Sequence, residues 1–158
     1  MPLIFFSQPY LLFFALLIID SLTKHLAIGL LTGSPIVINQ FLSLRLQYNC
    51  GVAFSFFHSC SWQSQYILIL LALLISGYLT FGVFQKSHNK TEKMGILLIV
   101  AGAVGNIIDR IYYGHVVDFI LLHYESFYWP TFNIADTFIT LGAITALLSS
   151  VKRTQSNK

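Results

Sequence analysis

The chain has 158 residues, 56% of them hydrophobic and only 9% charged, and its mean hydropathy is +0.72. An ordinary soluble domain carries about a quarter charged residues, so the composition excludes one and points to a single compact membrane domain whose backbone polar groups are satisfied inside helices. A net charge of +3 is too slight to suggest a nucleic-acid partner.

Crossing a bilayer takes about 20 mostly apolar residues. Four stretches qualify, about 4–24, 65–84, 94–112 and 133–151. The first has no basic region before it and runs into Asp20 and Lys24 without a small-residue cleavage pattern, so it reads as a span and not as a cleavable signal. Between the second and third spans lie Lys86, Lys90 and Lys93, and the tail carries Lys152, Arg153 and Lys158. The positive-inside rule therefore puts both termini and the 85–93 loop in the cytoplasm, and the segments of about 25–64 and 113–132 outside.

In the first outer segment Leu42, Leu44 and Leu46 alternate with Ser43, Arg45 and Gln47, the period of a half-buried strand. Asn49 and Gly51 supply turn chemistry, and Val52 to Phe57 resume an apolar, aromatic run. His115 to Ile120 in the second outer segment reads as a short strand that joins the first, making a small sheet on the membrane surface. Cys50 and Cys60 are the only cysteines. A disulfide is chemically possible outside the cytoplasm, but two cysteines make no framework, and free thiols are expected.

In the third span Gly95, Gly102, Asn106 and Asp109 fall at i, i+7, i+11 and i+14, a narrow small-and-polar stripe suited to close helix packing. The fourth span offers Asn133, Asp136, Thr140 and Ala143 as a matching stripe. Of the six acidic residues, Glu92 lies in the basic loop and calls for no special account, whereas Asp20, Asp109, Asp118, Glu125 and Asp136 all fall at or beyond the outer ends of spans. Ionisable groups near hydrocarbon are costly and are usually paired or functional, so aspartates scattered over the sequence but level in depth suggest a site.

Each has a plainer reading. Asp20 and Lys24, at i and i+4, suit a structural or substrate-positioning ion pair. Asp109 beside Arg110 suits an anchoring carboxylate held charged by the guanidinium. Asp118 and Asp136 have no basic neighbour within four residues; brought together without a cation they would share one proton, as paired catalytic carboxylates do, and the competing reading is helix capping or water-mediated packing. The histidines His25, His58, His88, His115 and His123 form no i, i+4 metal pair and read as interfacial or surface residues, and no G-x-S-x-G nucleophile occurs. The aromatic run from Phe119 to Phe132 reads first as an interfacial belt.

Five blocks of this sequence resemble the lipoprotein signal peptidase (signal peptidase II) family: D-S-L-T-K from Asp20, N-C-G-V-A-F-S from Asn49, G-N-I-I-D-R from Gly105, V-V-D-F from Val116, and W-P-T-F-N-I-A-D from Trp129. The last three, in this order and with these gaps, carry most of the specificity. The resemblance implies a mainly α membrane protein, with four transmembrane helices and a small extracytoplasmic β-sheet, in the bacterial inner membrane. It implies an aspartic endopeptidase that cuts prolipoproteins on the amino side of a diacylglyceryl cysteine, with Asp118 and Asp136 as the catalytic pair. Asn49, Gly51, Asn106, Asp109, Arg110 and Asn133 match the supporting residues, and Asp20 with Lys24 a structural pair; Cys50 and Thr137 occupy positions that vary within the pattern. No metal or other cofactor is expected, the partners are lipidated precursors and membrane lipid, and the chain is expected to act as a monomer. A proton- or ion-coupled transporter and a lipoprotein-binding factor are the rival classes; the first would place its acids near the bilayer midplane, and the second would not need two proton-sharing acids.

Overall fold

The structure, a computed structural model, describes residues 3–51, 60–85 and 88–156. Its elements are α1 (Leu3–Leu31), β1 (Ile36–Asn39), β2 (Leu42–Asn49), α2 (Trp62–Gln85), α3 (Lys90–Tyr113), β3 (Val116–Tyr124), β4 (Phe127–Tyr128) and α4 (Ile134–Ser156). All four helices are long and apolar enough to cross a membrane. The apolar, aromatic run of Val52 to Phe57 lies outside the described residues.

Helix ends follow local chemistry. Asn89 opens α3, its Oδ1 accepting from the Glu92 backbone N–H at 2.8 Å. Gly114 closes it at φ 74°, a left-handed conformation glycine adopts without strain. The first helix runs beyond Lys24, where the sequence reading ended it, because that lysine is buried among partners and interrupts nothing; apolar residues Leu26 to Leu31 continue the turn pattern.

The central helix is α3, which packs on α1, α2 and α4. Its closest approach, to α4, depends on missing side chains. A Cβ on Gly95 would lie 2.7 Å from the Gly142 carbonyl oxygen, and one on Gly142 would lie 2.5 Å from the Gly95 carbonyl oxygen. The α3 stripe of Gly95 and Gly102 is thus in place, and at the start of α4 the expected Asn133 and Asp136 do meet it at Asn106, but the rest of the counterpart differs from the one expected. Ala135, Gly142 and Ala146 face α3, with Ser149 buried on the same face, whereas Thr140 is exposed. The facing residues stand at i, i+7, i+11 and i+14, the spacing of the α3 stripe itself. The two helices meet by polarity at Asn133 and Asp136 and by size along the rest of their length.

The strands form one antiparallel sheet in the order β1-β2-β3-β4. Asn39 Oδ1 accepts from the backbone N–H of Phe41 and Leu42, at 2.8 and 3.0 Å, and so turns β1 into β2. Neither β1 nor β4 shows the alternating pattern that marks β2, and both are exposed, so periodicity missed them. The sheet packs across the end of α1 through Ala27, Leu31 and Phe119, with Leu44, Leu46, Ile120 and Ile134 around them. Cys50 and Cys60 are joined as a disulfide, their Cα atoms 4.8 Å apart, against the expectation of free thiols. The end of β2 and the start of α2 converge there, a proximity that sequence separation does not reveal.

Candidate active site

Backbone pairing brings the distant aspartates together. β3 runs antiparallel to β2 with Gln47 opposite Asp118 and Asn49 opposite Val116. On its other side, Phe132 accepts from the N–H of Phe119 and Ile120 and donates to the Ile120 carbonyl at 3.0 Å. Thr131 Oγ1 donates to Gln47 Oε1 at 2.8 Å, which ties this strap across to β2. The residue after Phe132 is Asn133, and it opens α4 directly beside Asp118.

Asn133 is fully buried and connects both carboxylates. Its Nδ2 donates to Asp118 Oδ1 at 2.7 Å, and its backbone N–H donates to Asp136 Oδ2 at 3.2 Å. Its Oδ1 accepts from the Asp136 backbone N–H at 2.8 Å, completing a reciprocal cap on α4. The capping alternative is therefore realised for Asp136 without displacing the site, because Asp136 Oδ1 still accepts from Asn106 Nδ2 at 2.8 Å. Asp118, 1% exposed, receives Asn49 Nδ2 on its second oxygen at 2.9 Å. Its carboxyl is pushed up to about 7 by burial first and then by the charge of Asp136, against the opposing hydrogen bonds from Asn49 and Asn133 and the charge of Lys24.

Beneath the pair lies a buried cationic hub. Lys24 Nζ is 2.8 Å from Asp20 Oδ2, 2.9 Å from Asp109 Oδ2, and donates to Asn106 Oδ1 at 3.0 Å. Asp20 Oδ1 accepts from the Ala135 backbone N–H at 2.9 Å, so one lysine and its partners join α1, α3 and α4. The space for Asp20 exists because residue 105 is glycine; a Cβ there would sit 2.6 Å from Asp20 Oδ2. Asp109 Oδ2 also accepts from the Val117 backbone N–H at 3.0 Å and so fixes β3 one residue before Asp118.

Two sequence expectations change here. The charge of Arg110 does act with that of Asp109, but the close ion pair of Asp109 is with Lys24 on another helix. Arg110 Nη2 donates to the Gly51 carbonyl at 3.1 Å and its Nη1 to the Asn106 carbonyl at 3.3 Å. Nor is the pair remote from cations, since the charge of Lys24 acts on Asp118 and both carboxylates act on Arg110. Asn49 and Gly51 do form the expected turn, with the Gly51 N–H donating to Asn49 Oδ1 at 3.0 Å.

Sequence reasoning missed Gln65, fully buried at the start of α2, whose Nε2 donates to the Cys50 carbonyl at 2.6 Å. The available signal was weak, because Gln63 and Gln65 both stand in the first turn of an otherwise apolar span and only burial separates them. It also passed over Glu92 and His88. Glu92 is buried, 2.7 Å from His88 Nδ1 and 2.9 Å from Arg153 Nη1, at the far end of α3 from the aspartates. Among the described residues no group of three or more His, Cys, Asp or Glu could hold a metal ion.

Comparison with known proteins identifies the family. A family model described as Signal peptidase (SPase) II matches residues 12–152. The lipoprotein signal peptidase of Neisseria meningitidis is 40% identical over 124 residues, 77% of this chain and 75% of that protein. That of Dichelobacter nodosus is 36% identical over 147 residues, 93% of this chain and 96% of that protein. A bacterial membrane enzyme solved by the in meso method superposes with a TM-score of 0.81 at 29% identity, covering 96% of this chain and 92% of the other. The chain belongs to the signal peptidase II family.

Proposed function

We propose that this multi-pass inner-membrane protein removes the signal peptide from diacylglyceryl-modified prolipoproteins as an aspartic endopeptidase, with Asp118 and Asp136 as its catalytic carboxylates. The observation that carries the assignment is Asn133, whose side chain and backbone N–H donate to one carboxylate each. Two acids held by one residue in a largely buried setting are arranged to share a proton and not to ionise together.

In this reading Asp118 keeps its proton up to about pH 7 and donates it to the scissile carbonyl, while Asp136 takes one from the attacking water. The roles then exchange as the amine departs with a proton. Asn106 and Asn133 orient the acids, and Asp109 with Arg110 fixes the strand and turn that bring Asp118 and Asn49 forward. The basic residues of the 85–93 loop and the tail support cytoplasmic termini and an active centre at the outer face. There the acyl chains of the substrate stay in the bilayer while the peptide bond reaches water, and the exposed aromatics Tyr124, Phe127, Tyr128 and Trp129 suit the headgroup layer.

The test is purified full-length protein in lipid vesicles with two synthetic precursors, identical except for the diacylglyceryl group on the cysteine. Mass spectrometry should find a single cut on the amino side of that cysteine in the lipidated precursor only. Intact lipidated precursor after prolonged incubation would refute the proposal.

A further inference from the structure

The Asn49–Gly51 turn is held from four sides. Asn49 donates to Asp118, the Gly51 carbonyl accepts from Arg110, the Cys50 carbonyl accepts from Gln65, and the Cys50 side chain is bonded to Cys60 just before α2. Three of these restraints are hydrogen bonds that a change of redox state does not touch, whereas the fourth is covalent and can be opened by reduction. Cys50 sits between the residue that touches Asp118 and the residue that Arg110 holds, so a tether on Cys50 acts directly on the placement of Asn49.

We propose that the Cys50–Cys60 disulfide, backed by Gln65, is a redox-controlled positioning clamp that holds Asn49 against Asp118 and so sets the turnover of the peptidase. The clamp rests on the peptidase reading given above. Closing it removes two protons and two electrons from the two thiols. A disulfide-bearing oxidant outside the cytoplasm accepts them by thiol–disulfide exchange and becomes a dithiol. An active centre of this kind gains full turnover only in an oxidising compartment. Cys50, Cys60 and Gln65 are positioning residues, since none of them touches either carboxylate.

A position-specific effect leaves a signature that simple destabilisation does not. The Asn49 bond favours the ionised form of Asp118, so loosening it should move the alkaline limb of the activity profile upward. The other charged groups acting on Asp118 are Asp136 on α4, Lys24 on α1 and, through its own response to both carboxylates, Arg110 on α3. Asp136 and Lys24 lie on other elements, whereas Arg110 also holds the turn through the Gly51 carbonyl; its withdrawal would move the limb upward as well, so a displaced limb reports on the placement of the turn that carries Asn49.

The experiment compares oxidised wild-type protein with the same preparation reduced by a phosphine, with thiols counted by mass tagging. It measures kcat, KM and the pH profile on the lipidated precursor, and melting in parallel. Reduction should lower kcat by roughly tenfold with little change in KM, shift the alkaline limb upward, and reverse on reoxidation. The Cys50→Ser/Cys60→Ser double variant should match the reduced enzyme and ignore the phosphine. Gln65→Leu should move kcat and the limb in the same directions with the disulfide intact. Unchanged kcat and profile in protein shown to carry two free thiols would overturn the clamp. So would activity lost only in step with folded protein while the limb stays put. No cleavage in either redox state would instead sink the peptidase reading, and the clamp with it.

Discussion

The two ends of α3 both bury charge, and they do so differently. At the end away from the sheet, Glu92 meets Arg153 and His88, and Asn89 caps the start of the helix while accepting from Ser149 at 2.8 Å. Each group there has a partner, and acid does not exceed base. At the sheet end, Asp20, Asp109, Asp118 and Asp136 are served, among the described residues, by the two cations Lys24 and Arg110, with Asn49, Asn106 and Asn133 filling in as neutral donors. A matched buried pair joins helices. An excess of carboxylates held by amides leaves a proton to be shared, and that is the property a hydrolytic centre needs.

This contrast can be broken experimentally. The largest expected loss of stability comes from Lys24→Met, which strands Asp20 and Asp109 without their common cation and should cost about 3–5 kcal/mol. It should appear as a collapse in the yield of folded protein. Next is Gly102→Val, where even a Cβ would collide with the Ala135 carbonyl and meet Ile139 at 2.8 Å. Overpacking of that kind costs about 1–3 kcal/mol, readable as a lowered melting temperature. At the opposite end, Glu92→Gln weakens one matched cluster and should cost about 1–2 kcal/mol while leaving turnover per folded molecule unchanged. A selective fall in turnover there would show the two ends to be functionally alike.

The smallest effect sharpens the contrast through pH. Burial and the neighbouring carboxylate raise the Asp118 group to about 7, so Asp118 is protonated below that value and ionised above it. Because the raised value means that the folded state binds this proton more tightly, its stabilising contribution is complete below the ordinary carboxylate range and is lost as pH rises through about 7. Activity that needs the proton should decline through the same window. A flat activity profile from pH 6 to 8 would exclude Asp118 as the proton donor.

Much of this was legible in the sequence, for identifiable reasons. Spans announce themselves by apolar length, and β2 by its alternation of leucines with Ser43, Arg45 and Gln47. The convergence of Asp20, Asp109, Asp118 and Asp136 followed from depth alone. What failed were partnerships between elements. Lys24 was read as the partner of Asp20 four residues away, but it also binds Asp109 and Asn106 on another helix. Arg110 was read as stabilising Asp109, and its charge does act there, but its hydrogen bonds go to the Gly51 and Asn106 carbonyls because successive helical residues point in different directions. Glu92 looked like a loop charge because Arg153 reaches it from another helix, and because His88, four residues before it, stood in the same basic loop. Beyond Asn133 and Asp136 the α4 stripe was misjudged because polar spacing drew attention to Thr140, while close approach selects Gly142 and Ala146 for their lack of bulk.

The central claim is that one proton is shared between Asp118 and Asp136 and does the chemistry. The most direct measurement is turnover of the lipidated precursor by Asp118→Asn and Asp136→Asn, each purified in folded form and matched to wild type by melting temperature. Each should lose activity by about 10²–10⁴-fold or more while still binding the precursor. Wild-type turnover by either folded variant would contradict the account.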